Sequence, residues 1–261
     1  MNSIMRDSLK ATIYYSLGVI LLIVIFQIFS MAMNDNFIVP SVGSIFSDFF
    51  ILLTKGSTYS YIGYTLLDLV ISLLIAILIG VILGSIAGIK PCMYKVFKPI
   101  MSFFRILPVI VLILMVMLYS TLGYVPMVVS TMVLIPVIHE GVYQGIIKVD
   151  KDIVNAYRLD TAFNLRVLFN IYLPLIGSSF TSAAISALGL GIKVVVTAEY
   201  ICGSSNSLGR AIINCLNNLE YSKLYAYSII LIILILLIEL IPKAIASLIK
   251  YIKIINKRLK S

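Results

Sequence analysis

The chain has 261 residues, of which 61% are hydrophobic and 12% charged, with a mean hydropathy of +1.10 and a formal net charge of +9. Soluble domains carry roughly 25% charged residues, so this composition excludes an ordinary water-soluble protein and implies an all-α integral membrane protein. The basic excess is dispersed between apolar runs, as an orientation signal would be, and this argues against a nucleic-acid partner.

A bilayer core of about 30 Å takes about 20 apolar residues in a helical span. Residues 11–33, 62–89, 175–201 and 225–249 satisfy this length, while 99–119 and 125–138 are shorter or interrupted by Arg105 and prolines. The expectation is a six-transmembrane-helix bundle forming one domain over residues 1–261. The first run exceeds the 7–15 residues of a signal-peptide core and lacks a small-residue cleavage site, so it is expected to stay as an anchor. Next, "NDNFIVPSVGSIFSDFF" offers a Pro40-Ser41 helix start, predicting an amphipathic helix packed as an outer lid.

The second span places Ser72, Ala76, Gly80, Gly84 and Gly88 four residues apart on one ridge. Small-xxx-small ridges let helix backbones approach closely in lipid. Packing within the bundle is the expected use, and self-association through the ridge the alternative. Pro108, Pro126 and Pro136 fall in the third and fourth spans and predict kinks there. Kinked helices suit a bundle that opens, and they also occur in static ones.

Ionisable residues inside a membrane are costly and default to functional hypotheses. Asp68 and Lys193 both lie roughly 10 Å below the outer end of their spans at about 1.5 Å per residue. Either they form a structural ion pair, or Lys193 faces a solute pathway and attracts anionic groups. Glu199, near the outer end of the fifth span, is a candidate gate, and Glu239 sits in the inner half of the sixth. His139 is the one histidine, beside Glu140 at an expected cytoplasmic helix end, and it makes a metal site improbable. Cys92 is on the inner side, and Cys202 and Cys215 near the outer face are read as unpaired thiols with a bridge as the alternative.

With six spans and an inner amino terminus, only Lys55, Lys193, Arg210 and Lys223 among the basic residues fall outside the inner loops and tails. The positive-inside rule then puts both termini in the cytoplasm. The stretch "VDKDIVNAYRLDTAFNLRVLFNIYLP", residues 149–174, becomes the longest cytoplasmic loop. Asp150 and Asp152 suit the positive end of a first short helix, and Asp160-Thr161 makes a break and a second cap. A short amphipathic helix on the cytoplasmic face is a candidate plug for a groove in a soluble partner.

The loop resembles the EAA loop of bacterial ABC importer permeases. Counting back from Ile171-Tyr172-Leu173-Pro174, the Glu-Ala-Ala triplet falls on Asn155-Ala156-Tyr157 and the following Gly on Thr161. Ala156 and the Ile-x-Leu-Pro end match, while Asn, Tyr and Thr replace Glu, Ala and Gly. "FIVPSVGSIFSDF", "VILGSIAGIKPCMYKVFKPIMSFFRILPVIVLI" and "ALGLGIKVVVTAEYICGSSNSLGRAI" are similar to the outer segment, the second-to-third span passage and the fifth span of the nitrate/sulfonate/taurine-type branch. The resemblance runs in order over residues 37–250.

The resemblance implies a permease in the bacterial cell membrane, with a cytoplasmic coupling helix in which Asn155, Ala156, Tyr157, Arg158, Thr161, Leu173 and Pro174 meet a cytoplasmic ATPase subunit. It also implies an extracytoplasmic solute-binding protein and a second permease copy, read as a homodimer. The sequence contains no Gly-x4-Gly-Lys-Ser/Thr phosphate loop, so ATP and Mg are expected on the partner ATPase, with no cofactor and no catalysis in this chain. A membrane-embedded enzyme would need catalytic groups the sequence lacks, and a secondary transporter would show two similar halves. The integral component of a vitamin-type ATP-driven importer is the nearer alternative. The solute's identity is not written in these residues.

Overall fold

The computed structural model describes residues 2–33, 38–149, 176–204 and 206–258, and within them every regular element is a helix. In chain order these are α1 (Asn2–Met33), α2 (Val42–Thr54), α3 (Gly56–Ile89), α4 (Pro91–Ile106), α5 (Val109–Met117), α6 (Val125–Ile147), α7 (Gly177–Cys202), α8 (Leu208–Asn217) and α9 (Tyr221–Arg258). Four of them contain a span long and apolar enough to cross a membrane: Gly56–Ile89, Val125–Ile147, Gly177–Cys202 and Tyr221–Pro242. The pair α4 and α5 makes a fifth if taken as one broken span, and Ile20–Met33 of α1 is a shorter apolar stretch. The proposed coupling residues Asn155, Ala156, Tyr157, Arg158, Thr161, Leu173 and Pro174 fall outside the described residues.

Two compact units divide the chain. The first comprises Met1–Tyr59 and Ile212–Leu231. There the Pro40-Ser41 start is a true cap: the Ser41 hydroxyl accepts the Ser44 N–H at 3.2 Å, satisfying a first-turn donor that the helix itself leaves free. The Gln27 side-chain Oε1 accepts the Val42 N–H at 3.1 Å, and the Ser30 hydroxyl donates to the Val39 carbonyl at 3.0 Å, so α1 and α2 are tied at their junction. Phe26 meets Tyr225 edge-on at 5.4 Å.

The second unit comprises Ser60–Ala211 and Ile232–Ser261. Its centre is α6, which contributes to two apolar clusters. Leu134, Ile138, Val142 and Ile146 pack with Ala76 of α3 and with Ile176 and Ala187 at the start and middle of α7. Val125 and Val129 pack with Leu112 and Ile113 of α5 and with Val194 and Ala198 of α7. The opposite face of α3 presents Leu67, Val70, Leu74, Leu78 and Ile82 to the outside, as a helix bordering lipid does.

Three expectations about the middle of the chain change. The run 99–119 is not one straight span: α4 ends at Ile106, α5 starts at Val109, and the two meet at 95°. Leu107 and Pro108 take extended backbone, because proline disfavours helical geometry in the residue before it. Pro126 does not kink α6 but sits in its first turn, where a missing N–H costs nothing. The fourth span does not stop at Ile138. It continues to Ile147, since Gln144 Nε2 donates to Glu140 Oε1 at 2.8 Å along the helix and Gly141 and Gly145 let α7 approach. His139 is therefore an interior residue, only 1% exposed, and not one at a helix end. Cys92, Cys202 and Cys215 are free thiols.

Candidate functional site

Helix α7 buries Ala187, Ile192, Val195, Ala198 and Glu199 among others, yet one side of it is polar and open. Ser178, Ser182, Ser186, Lys193 and Thr197 are exposed, and at about 100° per residue they fall within a single arc of roughly 100°. A helix that faced lipid along this arc would carry aliphatic side chains there. At the amino-terminal end of α7 the stripe borders a cleft of about 490 Å³ whose lining includes Arg105, Glu140, Gln144, Lys148, Ser182 and Ser186. Partway along, Gly189 brings the backbone of α7 against the Glu239 carboxylate of α9, in space that a Cβ would fill.

The break between α4 and α5 is tied to α6 at the edge of this cleft. Arg105 Nη2 donates to the Pro136 carbonyl at 2.7 Å and stands 3.9 Å from Glu140 Oε2. Both side chains are partly exposed, at 45% and 33%, so their attraction is screened and the pair is worth little on its own. The guanidinium hydrogen bond to the carbonyl fixes the bend more firmly than the ion pair does.

At the other end of α7, Glu199 is fully buried. Its Oε2 accepts the Thr65 hydroxyl at 2.9 Å and the Gly209 N–H at 3.1 Å. Thr65 Oγ1 in turn accepts the Leu208 N–H at 3.1 Å, and the Ser207 hydroxyl accepts the Arg210 N–H at 3.2 Å. The free N–H groups of the first turn of α8 are thus satisfied by α3, α7 and their own cap. A carboxylate at a helix N-terminus also meets the positive end of its macrodipole. Gly209 admits the close contact, since a Cβ there would strike the Tyr200 nitrogen and Glu199 Cβ. Gly203 closes α7 at φ 62, a left-handed cap that glycine adopts at no steric cost. Glu199 Oε1 is buried with no hydrogen-bond partner among the described residues.

The sequence-derived candidates separate into distinct places. Ser72 and Ala76 are fully buried, and the Ser72 hydroxyl reaches the Asp68 carbonyl at 2.6 Å and the Met127 carbonyl of α6 at 3.1 Å. A Cβ on Gly80, Gly84 or Gly88 would lie within 2.8 Å of Ile138, His139 or Ile146 respectively. Asp68 and Lys193 form no ion pair: the described ion pairs are Arg105–Glu140 and Lys223–Glu220. Asp68 is half-buried on α3, one turn after Thr65, whereas Lys193 lies on the open face of α7. Sequence reasoning missed Thr65, whose role depends on a contact 134 residues away. It also missed the serine stripe, although the four-residue spacing of Ser178, Ser182 and Ser186 was there to be read.

Compared with curated proteins, the chain matches none. The sequence profile of a family described as binding-protein-dependent transport system inner membrane component matches residues 76–251. That stretch takes in α4 to α8, the last turns of α3, most of α9, the cleft and the Glu199 junction apart from Thr65. The helical architecture with several membrane spans accords with the match. The chain belongs to this family of multi-pass, non-catalytic ABC importer permeases, which work with ATPase and solute-binding partners.

Proposed function

We propose that the chain forms the solute pathway of an ATP-driven importer, as a single six-span domain in the cytoplasmic membrane with both termini inside. A second permease copy, identical in the simplest assembly, lies across the pathway. The observation that carries this reading is the polar face of α7. Serine, lysine and threonine side chains along a membrane-crossing helix require water or a partner, and two such faces opposite one another would supply both.

Residues 149–174 act as the lever for the ATPase, with Asn155, Ala156, Tyr157 and Arg158 in its groove, Thr161 at the break, and Leu173-Pro174 joining the lever to α7. Nucleotide-driven closure moves the two-state bundle only through contacts that differ between its states. The broken α4–α5 pair and Pro136 of α6, joined by Arg105, are the supporting geometry for such a movement. Lys193 on the open face favours a small solute with an anionic group. The resemblances at residues 37–49, 81–113 and 187–212 favour the nitrate/sulfonate/taurine-type branch.

The test is uptake by proteoliposomes holding this chain with its ATPase and solute-binding protein. Accumulation must require ATP and must stop when either partner is omitted. Uptake driven by an ion gradient without nucleotide would overturn the proposal and favour a secondary transporter.

A further inference from the structure

Beyond the Arg105–Glu140 pair, α4 and α6 enclose a second cavity of about 160 Å³. One water needs roughly 15 Å³ of such space, so a tetrahedral oxyanion fits with room to spare. The polar lining is Tyr94, Lys98, Ser102, Arg105, His139 and Glu140. The decisive group is His139, which is 1% exposed and has no partner on either ring nitrogen among the described residues. A neutral imidazole carries one donor and one acceptor, and buried polar atoms are seldom left without partners.

The ring is held in place by aromatic neighbours. Phe97 meets it edge-on at 6.2 Å, and Tyr143 lies nearly parallel to it at 6.5 Å. Tyr143 also stacks on Tyr94 at 4.0 Å, and Lys98 Nζ stands 5.8 Å from the Tyr94 ring centre. The cavity thus has two cations, Lys98 and Arg105, against one carboxylate, and Glu140 already accepts from Gln144 and faces Arg105. Lys98 has no carboxylate partner among the described residues.

We infer that the α4–α6 cavity binds an oxyanion, with Lys98 and Arg105 supplying charge and Ser102 and His139 supplying hydrogen bonds. Two sources offer this chemistry: a free inorganic oxyanion, or the headgroup phosphate of an anionic lipid. The outer side of α4 bears Val96, Ile100, Phe103 and Ile106, all exposed and apolar, so the helix is suited to lie against lipid with this cavity behind it. The cavity shares Arg105 and Glu140 with the cleft beside the α7 stripe but is set apart from it by Tyr94, Lys98, Ser102 and His139, and the inference does not depend on the pathway reading.

His139 is the only histidine, so ¹⁵N-histidine labelling reports on this ring alone. The full chain, purified without a histidine tag, is placed in phosphatidylcholine nanodiscs. One arm titrates sodium sulfate against sodium chloride of matched ionic strength, and the other replaces part of the lipid with phosphatidylglycerol. A saturable shift of the ring nitrogens with sulfate marks a free anion as ligand, and a shift with phosphatidylglycerol marks the lipid headgroup. Lys98→Gln is expected to weaken the response by about tenfold, as loss of one charge-assisted hydrogen bond would. Lys95→Gln, on the same helix but outside the cavity lining, should leave it unchanged. Ring resonances that stay still in both arms would overturn the inference, as would shifts equally strong in Lys98→Gln and the unsubstituted chain.

Discussion

The Thr65 hydroxyl donates to Glu199 Oε2 at 2.9 Å while accepting the Leu208 N–H at 3.1 Å, so one side chain of α3 holds both the end of α7 and the start of α8. Thr65→Val keeps the shape and removes both bonds, leaving a buried N–H without its partner. The expected loss is about 1–3 kcal/mol for that orphaned group, seen as a lower unfolding temperature in detergent. Thr65→Ser restores the hydroxyl and should recover most of it. If the valine and serine variants unfold alike, the tie contributes nothing.

Gly84 and Gly63 belong to the same helix and make a matched pair. A Cβ on Gly84 would come within 2.6 Å of the His139 carbonyl, which is backbone and cannot step aside, whereas a Cβ on Gly63 meets nothing within 4 Å. Gly84→Ala is therefore expected to destabilise by about 1–3 kcal/mol through overpacking. Gly63→Ala should be neutral or gain up to about 1 kcal/mol from helix propensity. Thermal unfolding of the two variants side by side decides it.

For the lever, Tyr157→Asp places a charge where an aromatic ring is proposed to enter the ATPase groove. The expected outcome is loss of the ATPase on co-purification while the chain still inserts into membranes. An intact complex carrying this substitution would remove residues 149–174 from the coupling role.

Lys193 is exposed on the open face of α7 and has no acidic partner in the described structure. Lys193→Gln should slow uptake of an anionic solute by about tenfold, the equivalent of roughly 1.4 kcal/mol, without lowering the unfolding temperature. A lower unfolding temperature with unchanged uptake would assign the lysine a structural role instead.

Much of this architecture could be read from local patterns. The Ser41 cap followed Pro-Ser chemistry, and the α3 ridge followed a four-residue spacing, because each is written in neighbouring residues. The 95° bend at Leu107-Pro108 was harder. Hydropathy reports whether a residue suits lipid, not the direction in which the chain runs, so α4 and α5 looked like one interrupted span. The last turns of α6 were lost for a related reason: His139, Glu140 and Gln144 lower hydropathy, and the partners that accommodate them, Phe97 and Arg105 of α4 for the first two, lie far away in the sequence. The Asp68–Lys193 pairing rested on equal depth alone, and depth leaves the azimuth around each helix free. Thr65 became legible only when distant segments were brought together.

The central claim is that the polar arc of α7 faces an aqueous path. It is tested most directly by thiol labelling in a chain whose native cysteines are replaced, assembled with its partners in membranes. Cysteines placed at Ser182, Ser186 and Thr197 should react with a membrane-impermeant maleimide and change reactivity between nucleotide-free and ATP-bound states, while those at Leu74 and Leu78 of α3 should not react. Unreactive α7 positions in every state, or equal labelling of the α3 positions, would contradict the account.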